Sequence, residues 1–260
     1  AGVRRRFVMK IAKKEVLREL PPKRRLVQEL DWNDKVYAQL MAPVMRDVLR
    51  WKQDDQLSAQ ERAMLEESIS QHARQATGVA KAPYVCQFVR ALLDGGEKVL
   101  LFAHHHQVMD IYKQELKAFS PGFITGRETT LAKMNAVDRF QSGRTDVLCI
   151  SLRAASGLNL QRATCVVFGE LDWSPAVHSQ AEDRAHRMGQ EDSLLCYYLV
   201  APQGSDAVMQ EALGLKVSQF VGLMGDAPQS PEQAEQFANQ ARRHVERIVA
   251  QMGDSAISPN

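Results

Sequence analysis

The sequence predicts an α/β domain with a mostly parallel sheet, preceded by a helical segment and followed by a C-terminal helix. Three observations predict it. The composition, 45% hydrophobic and 25% charged over 260 residues, is that of a folded chain long enough for one large domain or two small ones. From Val79 onward short apolar runs alternate with amphipathic stretches of helical spacing, as the strands and crossover helices of a parallel sheet do. Before that point polar helical patterns dominate and no strand signal appears.

In chain order, the first clear helix starts at Ser58. Ser58-Ala59-Gln60-Glu61 is a capping box, in which the serine side chain bonds the amide three residues on and the glutamate reaches back. Leu65, Ile69, His72, Ala73 and Ala76 follow at helical spacing, and Gly78 offers a C-terminal stop. Strands are expected at 98–103, 123–125, 146–151, 164–169 and 194–200, with helices near 80–94, 106–119, 129–142 and 175–188. Asp94-Gly95-Gly96, Ser120-Pro121-Gly122 and Gln141-Ser142-Gly143 supply turns between them. A Pro- and Gln-rich hinge at 227–231 leads to a last helix carrying Phe237, Ala241, Val245 and Ile248. The chain thus divides into a basic linker with helical segment (1–79), an α/β lobe (80–225) and a hinge with C-terminal helix (226–260). Ligands of such a lobe are expected at the carboxyl ends of its strands.

No apolar run approaches the ~20 residues of a membrane helix, and Phe7-Val8-Met9 is too short for the core of a signal peptide. An intracellular protein without a membrane partner is expected. Cys86, Cys149, Cys165 and Cys196 stand at wide spacing with no C-x-x-C pair, three of them inside strand-like runs, which points to buried reduced thiols and away from a zinc site.

The chemistry is concentrated in Gln180-Ala181-Glu182-Asp183-Arg184-Ala185-His186-Arg187-Met188-Gly189-Gln190. Ser174 is placed to cap this helix, Pro175 fits its first position and Gly189 suits a left-handed stop. At ~100° per residue, Gln180, Arg184 and Arg187 share one narrow face, while Val177, Ala181, Ala185 and Met188 form a packing stripe beside it. Planar guanidinium forks suit phosphate oxygens because they bind bidentately. The spacing alone leaves a second reading open, a solvated helix whose arginines pair with Glu182 and Asp183.

The string resembles the last motif of the Swi/Snf family of superfamily-two DNA translocases, Gln-x-x-Asp-Arg-x-x-Arg-x-Gly-Gln, and every fixed position is present. Other stretches resemble the same family in the same order. Ser151-Leu152-Arg153-Ala154-Ala155-Ser156-Gly157-Leu158-Asn159-Leu160 is similar to its loop motif, one residue shorter. Glu170-Leu171-Asp172-Trp173-Ser174-Pro175 is similar to its acid-x-x-Trp-Asn-Pro link. Val99-Leu100-Leu101-Phe102-Ala103-His104-His105 looks like the strand opening the second motor lobe. Gly126 with Phe140-Gln141 fits its Gly-x-Thr and Phe-Gln landmarks, and Leu17-Arg18-Glu19-Leu20-Pro21-Pro22-Lys23 resembles its interlobe linker. The resemblance covers about residues 7–225, and the Ala-Glu-Asp-Arg string looks most like the annealing-helicase, fork-remodelling branch. Two stretches depart further from the pattern: Lys10-Ile11-Ala12-Lys13 stands for the usual Arg-Arg-Thr-Lys, and Lys133 stands for an arginine, which keeps charge but loses the fork.

The resemblance implies a RecA-like three-layer lobe. It implies ATP between two lobes, with Arg184 and Arg187 reaching the γ-phosphate as arginine fingers and Gly157, Gln180, Asp183 and Gln190 about the nucleotide. It also implies that His105, Gly126, Arg127, Ser151 and Arg153 grip the phosphates of double-stranded or forked DNA, without reading sequence. The phosphate-binding loop G-x-x-x-x-G-K-S/T and an Asp-Glu pair for magnesium do not occur in the chain. ATP and magnesium are therefore expected mainly on a first lobe that is the partner of this one, with no cofactor tightly bound by this chain and no ATPase activity without that lobe. His104, His105 and His106, three consecutive residues after one strand, cannot all converge on a metal, and no metal site is expected. The alternative to a motor lobe is a non-catalytic nucleic-acid or protein-binding module that keeps the fold.

Charge is uneven along the chain. Net charge is +2, yet residues 1–25 hold ten basic side chains against two acidic ones, which makes that segment +8 and the remainder −6. The segment reads either as a DNA-facing patch or as a linker ordered against the first lobe; Val16, Leu17 and Leu20 at helical spacing favour the linker.

Overall fold

The computed structural model describes residues 23–154, 158–186 and 194–213. Gly157, Arg187, Gln190, the helix stop at Gly189 and the C-terminal helix lie outside the described residues. Six strands are present: β1 (Arg24–Glu29), β2 (Val99–Ala103), β3 (Gly122–Ile124), β4 (Val147–Ser151), β5 (Cys165–Phe168) and β6 (Leu195–Val200). They form one sheet, entirely parallel, in the order β1-β6-β5-β2-β4-β3.

The last five strands coincide with the apolar runs. β1 corrects the expectation that no strand precedes residue 80. Its inward positions are Arg25 and Val27, while Arg24, Leu26, Gln28 and Glu29 are exposed. An edge strand with a charge on its inner side carries no apolar alternation to read.

The helices are α1 (Asp34–Met41), α2 (Met45–Gln53), α3 (Ala59–Asp94), α4 (His106–Glu115), α5 (Thr130–Gln141), α6 (Pro175–Ala185) and α7 (Ser205–Ala212). Successive strand residues face opposite sides and so build two cores. Leu100, Phe102, Leu148, Ile150, Val166 and Phe168 meet α5 and α6, while Val99, Leu101, Val147, Cys149 and Val167 meet α3 and α4. The three layers of a RecA-like lobe follow from that alternation.

Helix α3 begins with the expected capping box: the Glu61 amide donates to Ser58 Oγ at 3.2 Å and the Ser58 amide to Glu61 Oε2 at 3.1 Å. The expected stop at Gly78 is a second correction, because the helix continues through Gly78 and Pro83 and ends only at Gly95 and Gly96, the latter with φ +84°. At 1.5 Å per residue the 36-residue helix is roughly 54 Å long. Its first half packs with α1 and α2 around Met41, Val48, Trp51 and Ile69, and its second half is buried against the sheet. Gly78 is explained by crowding: a β-carbon there would overlap Glu170 Oε1 and lie 2.8 Å from Glu170 Cδ. One turn on, buried Lys81 donates to Asp206 and, at 2.8 Å, to the Leu199 carbonyl, which locks α3 to α7 and to the end of β6.

β2 continues through α4 to β3 on one side of the sheet, and β5 continues through α6 to β6 on the other. These neighbouring strands therefore bound the topological switch point, where open α/β sheets bind their ligands.

Candidate functional site

The loops after β2, β3 and β4 leave the same edge of the sheet from three adjacent strands, which brings His105, Gly126, Arg127, Ser151 and Arg153 to one surface. Glu170, just past β5, closes the switch point. Its Oε2 accepts the amides of His104 and His105 at 2.7 and 2.8 Å, and its Oε1 lies 2.6 Å from His105 Nδ1. Burial pushes the Glu170 carboxyl up, but the His105 ring and the two amides outweigh it and hold the group below the usual carboxylate range. Burial, with Arg74 nearby, lowers the His104 pKa to about 4.

Gly126 is exposed, and a β-carbon there would meet only the His106 ring, at 3.9 Å, so the backbone is open to an approaching ligand. Its neighbour Arg127 donates to Asp110 Oδ1 at 2.7 Å on the surface. The turn beneath is tied by Thr125, whose amide and hydroxyl both donate to Glu128 Oε2, at 2.6 and 2.7 Å. Ser151 ends β4 half-buried, and Arg153 is exposed on the short 3-10 turn Leu152–Ala154. Among the described residues no cluster of His, Cys, Asp and Glu is placed to hold a metal ion.

Helix α6 starts at this edge and runs back across the sheet. Pro175 occupies its first turn as expected. Ser174 stands at the N-cap, but its side chain makes no capping bond, which corrects its expected role; its amide instead donates to Asp172 Oδ1 at 2.9 Å. The turn is braced by His178, whose Nε2 accepts the Asp172 amide at 3.2 Å while Nδ1–H donates to the Ser174 carbonyl at 3.1 Å. Those two bonds require the neutral ring, and burial pushes its pKa down to about 4. The face division is the one the sequence implies: Ala181 and Ala185 are buried, Gln180 is exposed and Arg184 is half-buried.

The far end of α6 lies near the start of β5, since the Arg184 carbonyl accepts the amide of Leu160, at 2.9 Å. Gln180, Asp183 and Arg184 thus form a group of their own, apart from the residues at the carboxyl edge. The solvated-helix reading paired the helix's arginines with Glu182 and Asp183; among the described residues Glu182 is held from outside the helix instead. Glu182, with no exposed side-chain surface, accepts from Arg25 Nε and Nη2, both at 2.7 Å, from Lys23 at 3.2 Å and from the Tyr198 hydroxyl at 2.8 Å. Lys23 also donates to Asp183 at 2.6 Å. Arg184 Nε is buried and has no hydrogen-bond partner among the described residues. The Lys23–Arg25 contacts were missed in the sequence, although their spacing of two was a signal, because alternate strand residues share a face.

Residues 80–189 match the helicase conserved C-terminal domain. The SWI/SNF-related matrix-associated actin-dependent regulator of chromatin subfamily A-like protein 1 of Drosophila melanogaster is 30% identical over 85% of this chain and 29% of its own length. Its Bos taurus counterpart is 40% identical over 58% of this chain and 16% of its own length. The chain belongs to the Swi/Snf family. Human DNA annealing helicase and endonuclease ZRANB3 matches this Swi/Snf lobe at 33% identity over 62% of the chain and 15% of its own length, in keeping with the branch resemblance. The chain spans less than a third of each of these relatives. Two solved structures share the fold. The C-terminal part of the Fun30 ATPase domain superposes with a TM-score of 0.58 at 17% identity, covering 87% of this chain and 99% of that one. The Sulfolobus solfataricus SWI2/SNF2 ATPase core in complex with dsDNA gives 0.61 at 19% identity, over 79% of this chain and 46% of that one. No described helix of the Swi/Snf lobe is long and apolar enough to cross a membrane.

Proposed function

We propose that this chain is the second motor lobe of an ATP-dependent double-stranded DNA translocase. Arg184 and Arg187 neutralise charge on the γ-phosphate of ATP that is held, with magnesium, mainly by a first lobe. Gly157, Gln180, Asp183 and Gln190 line the same nucleotide. His105, Gly126, Arg127, Ser151 and Arg153 rest on the phosphates of duplex or forked DNA.

The observation that carries this reading is Arg184. It stands at an arginine position of the family string, half-buried, with Nε out of solvent and unbonded among the described residues. A buried donor left without an acceptor costs on the order of 1–3 kcal/mol, and a phosphate oxygen would satisfy it with a charge-assisted bond. Bound ATP and magnesium would supply a phosphoryl group whose charge spreads over its equatorial oxygens on transfer, and guanidinium groups placed there are worth ~10³ to 10⁵ in rate. For DNA, three adjacent strand ends present an open glycine backbone, a short hydroxyl and two exposed arginines, groups that position a backbone without reading bases.

The test is hydrolysis of radiolabelled ATP, followed by thin-layer chromatography, by this chain alone and joined behind the first lobe of a Swi/Snf relative, with and without duplex DNA. The expected result is turnover only in the joined protein, stimulated by DNA and slowed by about 10³-fold or more in both Arg184→Ala and Arg187→Ala. Turnover by the chain alone, or turnover untouched by either substitution, overturns the reading. Duplex binding without any turnover would favour the non-catalytic module.

A further inference from the structure

We propose that Lys23, just before β1, and Arg25, on β1, are positioning residues for Arg184, acting through Glu182 and Asp183 to fix the last turn of α6. The proposal rests on the reading of Arg184 given above.

The contacts define a direction as well as an attraction. Arg25 grips Glu182 through both Nε and Nη2, a planar fork that fixes the carboxylate plane, while Tyr198 and Lys23 complete four donors to one buried carboxylate. β1 and β6 are paired neighbours, with Val27 opposite Tyr198, so that carboxylate is held over the seam between the two strands. Lys23 takes Asp183, the residue immediately before Arg184. From the other direction the Arg184 carbonyl accepts Leu160 at 2.9 Å, and the Glu182 carbonyl accepts the His186 amide at 3.0 Å to close the helix. The backbone of Arg184 is therefore fixed on both sides, by β1 and by the segment that leads into β5.

A simple staple for an edge strand would be made more cheaply from apolar residues. Taking a carboxylate and its cations largely out of water is unfavourable, and well-packed hydrophobic replacements of such pairs are often neutral or stabilising. What the ionic arrangement adds is orientation. In the family this chain resembles, the residues ahead of β1 lead from the first lobe, so the same strand that connects the lobes would hold the arginine that acts between them.

The experiment is a double-mutant cycle in the joined two-lobe protein, Arg25→Gln against Arg184→Ala, read as kcat and KM for ATP. Arg25→Gln is expected to lower kcat about a hundredfold, the usual penalty for an ångström of misplacement, with KM for ATP nearly unchanged. The double variant is expected to be no slower than Arg184→Ala alone. Multiplying losses would show that Arg25 merely supports the fold and would overturn the proposal. An unchanged kcat in Arg184→Ala would instead remove the underlying reading, whatever Arg25 does.

A second readout needs no nucleotide. In this chain alone, hydrogen exchange at the amides of Leu160 and His186, which bond the Arg184 and Glu182 carbonyls, should speed up about tenfold in Arg25→Gln, as for one lost charge-assisted bond. It should stay the same in Arg90→Gln, which breaks the half-buried pair with Glu115. Unchanged exchange in Arg25→Gln overturns the proposal as well. If that variant fails to fold, Lys23→Gln carries both measurements with the same expected direction.

Discussion

Glu170 lies directly against Gly78, so close that a β-carbon at position 78 would come within 2.8 Å of the carboxyl carbon. Position 78 is well inside α3, where alanine is ordinarily preferred over glycine by about 1 kcal/mol. Glu170 cannot retreat without releasing the two amides and the ring that place His104 and His105 at the carboxyl edge. Gly78→Ala is therefore expected to destabilise the chain by about 1–3 kcal/mol, the range for overpacking, against the sign of helix propensity. Urea unfolding measures it, and a gain in stability would show that the carboxylate has room to move.

Lys81 and Asp206 make the lobe's most deeply buried ion pair among the described residues, with side-chain exposures of 0% and 5%. Each has further work, since Lys81 donates to the Leu199 carbonyl and Asp206 accepts the Ala201 amide. Removing either partner strands the other charge away from water, so Lys81→Ala and Asp206→Ala should each cost about 3–5 kcal/mol. The double variant should cost much less than the sum of the two. Chemical denaturation of the three variants decides it, and additive losses would mean the two charges are not coupled.

Residues that face apolar neighbours on a regular period were legible in the sequence; those whose role is a contact with a charged group elsewhere were not. Leu100, Leu148 and Val166 announce their strands because both faces of a parallel sheet are buried. Arg25 hides a strand of equal length to β6 because its inward partner is Glu182, more than a hundred and fifty residues away. Gly78 read as a stop since local rules give glycine that meaning, whereas its real cause is a carboxylate from the other end of the lobe. The motif string told which residue types gather on α6, and the structure added that Arg184 and the residues at the carboxyl edge occupy separate surfaces.

The four thiols offer a sensitive probe of the same core. Cys86, Cys149, Cys165 and Cys196 are all free and buried. Burial pushes the Cys86 and Cys165 thiols up to about 12 and the other two further, so little thiolate exists at pH 8 in the folded chain. Reaction with an aromatic disulfide reagent should be slow in buffer and reach all four thiols once urea unfolds the chain. Rapid modification of even one thiol in buffer would reveal an opening motion in the sheet.

Exposed charges at the carboxyl edge should register in the salt dependence of DNA binding. Arg127 and Asp110 are each more than half exposed, so their pair contributes little stability, and Asp110→Asn should change stability by less than about 0.5 kcal/mol. The same substitution frees the Arg127 guanidinium and should tighten duplex binding. Arg153→Ala should weaken binding on every sequence alike and lower the slope of log affinity against log salt by about one. A slope unmoved by Arg153→Ala would take that residue off the DNA surface.

Acid stability separates a histidine from the carboxylates. His178 has a folded pKa of about 4 against 6.5 in a solvated chain, because burial disfavours the charged ring and its Nε2 is occupied in accepting the Asp172 amide. Between those two values the unfolded chain binds a proton that the folded chain refuses, so stability must fall as pH drops from 6.5 towards 4, by up to about 3 kcal/mol at 1.36 kcal/mol per unit. Glu170 and Glu182 have folded pKa values below the ordinary carboxylate range, so the stability they confer is present above about 4.5 and is lost only at lower pH. The loss between pH 6.5 and 4.5 therefore belongs to histidine, with half-buried His104 adding to it in the same direction. Urea midpoints across that window should decline in the native chain and decline less in His178→Gln, whose amide can still accept from Asp172. Proton NMR of the His178 ring should show no titration until pH is near 4, and a ring that titrates near 6.5 would contradict the burial argument.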